Sequence, residues 1–220
     1  MNRKNTLEFF TLMFPIILPV LLLTPPAESI TAQEIIHKVE ERYESLNDFQ
    51  AVFQQALYMD EADTVGYLAS GTLWVKKPVQ FRLELEHQTT VSDGRTLWTY
   101  VPDNNQVLVD AVDTTGGSMR PDQLFLTYFQ DAEAMLCGTE QVAGFDCYHL
   151  CLEPDEETAV ASLQVWVDRD NWLARRLTFT DDGGMITHYR FTEMQINPGL
   201  ADSLFVFQAP DTVEVIDMRW

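Results

Sequence analysis

The stretch Trp74–Glu86, WVKKPVQFRLELE, decides the fold class. Successive side chains on a strand point to opposite faces. Leu73, Val75 and Lys77 therefore share one side. Beyond the break at Pro78, Phe81, Leu83 and Leu85 line up on one face, and Arg82, Glu84 and Glu86 on the other. Alternation with period two predicts strands with one apolar and one wet face. Lys77 then stands out, because it closes an otherwise apolar face. Either it ends the strand and snorkels to water, or the face is a ligand cavity and the cation fastens its cover.

The same alternation runs outward in both directions. FQAVFQQALYM precedes it, with Phe49, Ala51 and Phe53 together. RTLWTYVP and NQVLVDAV follow, parted by Pro102-Asp103-Asn104-Asn105, a hairpin turn. DCYHLCLEP and SLQVWVD continue it. Asp168-Arg169-Asp170-Asn171 then turns into WLARRLTFTD, Asp181-Asp182-Gly183-Gly184 turns into MITHYRFTEMQIN, and SLFVFQAPDTVEVID supplies the end. About ten strands in sequence-adjacent hairpins predict a mainly β (α+β) fold: a single curved antiparallel sheet forming an incomplete barrel. The Ser92-Asp93-Gly94 segment reads as turn chemistry.

Two segments break the pattern. TAQEIIHKVEERYESLN, residues 31–47, is an amphipathic helix with Ile36, Val39, Tyr43 and Leu46 at helical spacing. Residues 114–136 do not alternate. There Gly116, Gly117 and Pro121 introduce Leu124, Phe125 and Leu126, an inserted helix that either packs over one barrel end or moves as a lid hinged at the two glycines.

Arg3 and Lys4, followed by the apolar Phe9–Leu23 run, have the layout of a secretory signal. Cleavage after Ser29 or Ala32 fits the small residues. Thr31-Ala32-Gln33-Glu34 has capping-box spacing that the later cut would destroy, so residues 1–29 are expected to leave and residues 30–220 to form one domain. No cysteine lies near the cut, so the mature chain is not acylated there. That segment removes Arg3, Lys4, Glu8 and Glu28, leaving the net charge of −20 intact. Such a balance excludes nucleic acid as a partner and disfavours lingering on anionic lipid.

Cys137, Cys147 and Cys151 are the only cysteines. Cys147 and Cys151 would stand about 13 Å apart on an extended strand, beyond the roughly 7 Å that a disulfide spans. Cys137 and Cys147 flank a turn around Val142–Gly144 and are the expected pair; three buried thiols are the alternative. Cys147, His149 and Cys151 share a strand face, but two strides of strand do not converge on one metal ion. The Asp168 turn lacks the glycine and glutamate of a calcium loop. No phosphate-binding loop or nucleophile elbow occurs, and no carboxylate pair stands out. No cofactor is expected.

GTLWVKKP, FRLELE and VSDGRTLWTYVPDNNQV together resemble the periplasmic outer-membrane lipoprotein carrier family, LolA, as do VDRDNWLARRLTFTDDGG and FVFQAPDTVEVID. The resemblance implies an incomplete barrel with a helical lid over an apolar cavity that takes up lipoprotein acyl chains. It implies a monomeric carrier, not an enzyme, loaded by an inner-membrane ABC transporter and unloaded at an outer-membrane receptor. Lining residues would be Leu73, Val75, Phe81, Leu83 and Leu85 from the sheet, with Leu124, Phe125 and Leu126 from the lid. The family's WVKRP arginine, which holds the lid by its backbone carbonyls, corresponds here to Lys77, which keeps the charge but loses the planar fork. Two other readings stay open: an exported lipid-binding or envelope-sensing module on the same scaffold, and an exported hydrolase.

Overall fold

Helix α1 (Ala32–Glu44) begins where its cap predicts. Glu34 N donates to Thr31 Oγ1 (3.2 Å) and Thr31 N donates to the Glu34 carboxylate (2.8 Å), so two backbone donors at the helix start are satisfied reciprocally. The capping hydrogen bonds hold the Glu34 carboxyl below its usual range, burial and Lys38 being smaller influences. The buried stripe of α1 is Ala32, Ile35, Ile36, Val39 and Tyr43, with Leu46 just beyond it. Ile35 and Val39 are fully enclosed, and burial of that kind stabilises by about 1.5–3 kcal/mol per side chain. The computed structural model describes residues 30–58, 65–112, 132–153 and 160–219.

Among the described residues twelve strands form one sheet. They are β1 (Asp48–Tyr58), β2 (Val65–Lys76), β3 (Gln80–Leu85), β4 (Gln88–Ser92), β5 (Thr96–Val101) and β6 (Gln106–Ala111), then β7 (Glu133–Val142), β8 (Phe145–Glu153), β9 (Val160–Asp168), β10 (Ala174–Asp181), β11 (Ile186–Ile196) and β12 (Glu214–Asp217). Their order is β12-β6-β5-β4-β3-β2-β1-β11-β10-β9-β8-β7. Two meanders therefore meet at β1, which pairs along its length with β2 on one side and β11 on the other. Every pairing is antiparallel except β12 on β6. The open, curled sheet is the incomplete barrel that the alternation predicts.

The count exceeds the expected ten for local reasons. Gln88–Ser92 is too short and polar to read as a strand, and residues 133–136, expected within the inserted helix, open β7. Turn chemistry sets the rest. Asp93 accepts from Arg95 N and Thr96 N, and Gly94 adopts φ +94° with no room for a Cβ over Val79.

The apolar face is less continuous than predicted. Phe81 and Leu83 pair with Ser92 and Thr90, so the side that is apolar on β3 turns polar on β4. Val91, Trp98, Tyr100, Val107 and Val109 share the opposite side, that of Arg82. The C-terminal segment closes over it. Asp48 accepts from Gly199 N and Leu200 N, Lys76 donates to Leu200 O, Phe205 is fully buried, and Phe207 packs on Trp98 and Tyr100. Hydrophobic surface exposed by the switch of face is thus buried by the chain's own tail.

Candidate functional site: the inner face of the sheet

The inner face is the one against which α1 packs. Leu73, Val75 and Phe81, brought side by side by the β1–β2–β3 register, lie in one cluster with Ile35, Ile36, Val39 and Tyr43 of the helix. From the other meander, Leu150, Val165 and Leu177 enter the same cluster. These are core contacts: Leu73, Val75 and Phe81 are 3–6% exposed.

Leu83 and Leu85 differ. They are half-buried at the margin of that cluster, with Leu97, Phe179, Tyr189 and Phe191. The aromatic side chains among them form a continuous group, with Phe53–Tyr189, Phe53–Phe191 and Phe179–Tyr189 ring centroids 6.0, 6.4 and 6.1 Å apart. Gly71 makes room for it, since a Cβ there would lie 2.7 Å from both Phe53 and Leu85. The sequence reading missed Phe179, Tyr189 and Phe191. Tyr189 and Phe191 are two apart on β11 and face Gln55 and Phe53 across β1, so the signal was alternation obscured by Arg190, Thr192 and Glu193.

Lys77 meets the C-terminal end of α1. Its Nζ donates to the carbonyls of Tyr43 (2.7 Å) and Glu44 (2.6 Å) in the last turn of the helix, where carbonyls lack a partner one turn on. A cation there also complements the helix dipole. Helix α1 is thereby pinned at its last turn to the end of β2. The expected lid residues Leu124, Phe125 and Leu126, and the hinge glycines Gly116 and Gly117, lie outside the described residues, as does the segment 1–29.

The cysteine pairing is corrected. Cys137 and Cys151 form the disulfide (Cα–Cα 5.9 Å), and Cys147 is the free, buried thiol. The expected Cys137–Cys147 bridge fails on register: Cys147 stands opposite Glu140, while a bulge between Leu136 and Gly138 turns Cys137 toward Cys151. Burial, then the nearby Asp168 charge, push the Cys147 thiol up to about 11.

The Cys/His strand face is otherwise engaged. The His149 ring stacks on Trp166 (4.2 Å) and its Nε2 hydrogen-bonds Gln164. Arg176 covers the other side of Trp166, whose indole N–H donates to Glu140. Among the described residues no three His, Cys, Asp or Glu side chains converge as metal ligands, and no helix is long and apolar enough to cross a membrane.

An open antiparallel sheet curled about one helix, whose inner apolar face the described residues cover only in part, is an incomplete half-barrel. Residues 44–208 match the family model described as outer membrane lipoprotein carrier protein LolA, and the chain belongs to that family. It is 29% identical over 177 residues to the outer-membrane lipoprotein carrier protein of Chromohalobacter salexigens, covering 79% of this chain and 82% of that one. It is 27% identical over 208 residues to that of Nitrosomonas europaea, covering 93% and 98%. Solved structures share the fold. An uncharacterized conserved protein from Thermus thermophilus superposes with TM-score 0.58 at 15% identity, covering 84% of this chain and 98% of that one. MucB does so with TM-score 0.51 at 18% identity, covering 84% and 65%.

Proposed function

We propose that this chain is a periplasmic carrier that binds the acyl chains of lipoproteins on its inner face and ferries them from the inner to the outer membrane. Residues 1–29 direct export and are removed, and the mature protein works as a soluble monomer without cofactor or catalysis. Its partners are the ABC transporter that releases lipoproteins and the outer-membrane receptor that accepts them. The observation that carries this reading, beside family membership, is the group of half-buried apolar residues (Leu83, Leu85, Leu97, Phe179, Tyr189 and Phe191) that α1 does not enclose. Leu124, Phe125 and Leu126 complete the lining, and Gly116 and Gly117 let their segment swing.

Hydrocarbon transfer supplies the driving force. Burying a methylene stabilises by about 0.8 kcal/mol, so one long acyl chain contributes on the order of 10 kcal/mol before costs. A carrier that kept all of this would not unload. Moving α1 off Leu73, Val75 and Phe81 to admit a ligand exposes apolar surface and offsets part of the gain. The loading energy comes from the transporter, and delivery runs downhill.

Depletion of the protein in its host tests the reading. Lipoproteins should then accumulate at the inner membrane, and protein purified from that host should carry them. Normal outer-membrane delivery on depletion, or co-purification of free lipids alone, overturns it, the latter in favour of a lipid-binding or sensing module.

A further inference from the structure

Within the half-covered aromatic group of the inner face sits one hydrogen-bonded polar couple. Gln55 Nε2 donates to the Tyr189 hydroxyl (3.0 Å) across β1 and β11, inside the ring of Phe53, Phe179 and Phe191. Gln55 lies six residues along β1 from Phe49, where the Tyr43 ring of α1 makes contact, roughly 20 Å away.

That bond leaves the couple half-used. Among the described residues neither the Tyr189 hydroxyl proton nor the Gln55 carbonyl oxygen has a hydrogen-bond partner. Burial raises the Tyr189 phenol above its ordinary pKa, the Gln55 bond offsetting only part of this, so the hydroxyl stays a proton donor at neutral pH. Gln55 and Tyr189 are both half-buried, and the Gln55 carbonyl oxygen is not among the buried atoms without a partner, so the couple stays open to a ligand lying on this face.

We propose that Gln55 and Tyr189 form a polar subsite on the inner face, in which the Tyr189 hydroxyl donates to the carbonyl oxygen of a fatty-acyl ester. The inference rests on the lipid-carrying reading above. Phe53, Phe179 and Phe191 then hold the chain adjoining that carbonyl, and Gln55 fixes the phenol by occupying one of its lone pairs. The couple gives the face a register: the ester group stops at Tyr189 rather than sliding along the aromatic wall.

The test compares two probes, a pyrene-labelled diacylglycerol and a pyrene-labelled alkane of matched length, titrated by fluorescence. Wild-type protein should bind both. Tyr189→Phe keeps the ring and should weaken the diacylglycerol roughly three- to tenfold, the size of one hydrogen bond, with alkane binding unchanged. The double variant Gln55→Leu with Tyr189→Phe removes both polar partners. It should lose the same preference while holding its denaturation midpoint, which a purely structural couple would not predict. Equal weakening of both probes, or of neither, overturns the subsite and leaves the carrier reading intact. Binding of neither probe by wild-type protein overturns the carrier reading, and the subsite with it.

Discussion

Lys77 shows how much one side chain's placement can decide. An ammonium donating to the Tyr43 and Glu44 carbonyls holds the exposed end of α1, and such helix-end interactions contribute about 0.3–1 kcal/mol. Lys77→Leu should therefore leave the fold intact but raise the uptake of a fluorescent lipid probe about two- to fivefold, with faster amide exchange at residues 43–46. Unchanged uptake and exchange would reduce Lys77 to a rim residue. That Lys77 stands apart on an otherwise apolar face was legible from Trp74–Glu86. That it meets the end of α1 was not, because the partner acceptors are backbone carbonyls and carry no sequence signal. Asp168 was legible only as a turn residue. In the structure its carboxylate is buried and accepts from Arg175, Asp170 N and Asn171. Desolvation pushes its pKa up, but those hydrogen bonds outweigh it and the net shift is downward. A lowered folded-state pKa means stability that is present at neutral pH and lost as pH falls below the unfolded value of about 3.9. Asp168→Asn should cost about 3–5 kcal/mol in urea unfolding at pH 7, since it strands the buried Arg175 charge. It should also flatten the acid limb of the stability profile, and a wild-type-like limb would refute this account.

The β7–β8 hairpin marks the limit of reading elements from pattern. Alternation located β8, β9, β10 and β11 because each has flanking turns, and the α1 start because its capping box is local. Cys137 could not be assigned that way. A single-residue bulge shifts it from the register that spacing implies, and its one sequence signal is the neighbouring Gly138, a glycine inside a strand. β4 escaped notice for a related reason: Thr90 and Ser92 occupy the side that Leu83 and Phe81 make apolar next door. The sheet tolerates the switch because the tail carrying Phe205 and Phe207 covers the new apolar side. Peptide mapping without reduction should yield a Cys137–Cys151 linked pair. In the native state one thiol, Cys147, should resist iodoacetamide at pH 8, since its pKa of about 11 and its burial both suppress the thiolate. It should react once urea unfolds the chain. Loss of the crosslink in Cys137→Ser should lower stability by about 3 kcal/mol, as expected for a loop of this length. A mapped Cys137–Cys147 pair would overturn the register.

At the scale of the whole molecule, the net charge and the half-covered inner face bear on the proposed function together. Thirty-four acidic residues against 14 lysines and arginines give the net charge of −20. Several of the cations are committed internally: Lys76 to the tail, Lys77 to α1, Arg175 to Asp168, Arg176 to Glu140. The outer surface is therefore a field of like charges, which repels anionic membrane surfaces, while the inner face offers hydrocarbon a neutral environment. On the proposed function this balance suits a carrier, which would collect an uncharged acyl chain without adhering to the bilayer that holds it. The cost is self-repulsion in the folded state, which rises with the Debye length and is screened by salt. The sign follows directly. Moving from roughly 10 mM to 1 M salt shortens that length from about 30 Å to 3 Å and should raise the urea unfolding midpoint progressively. Most of the gain should come below about 0.2 M, where surface charges still see one another. Binding of an uncharged lipid probe should barely change over the same range once the protein is folded. A flat or falling midpoint would show that the acids are dispersed enough to ignore one another, and that the charge balance serves solubility alone.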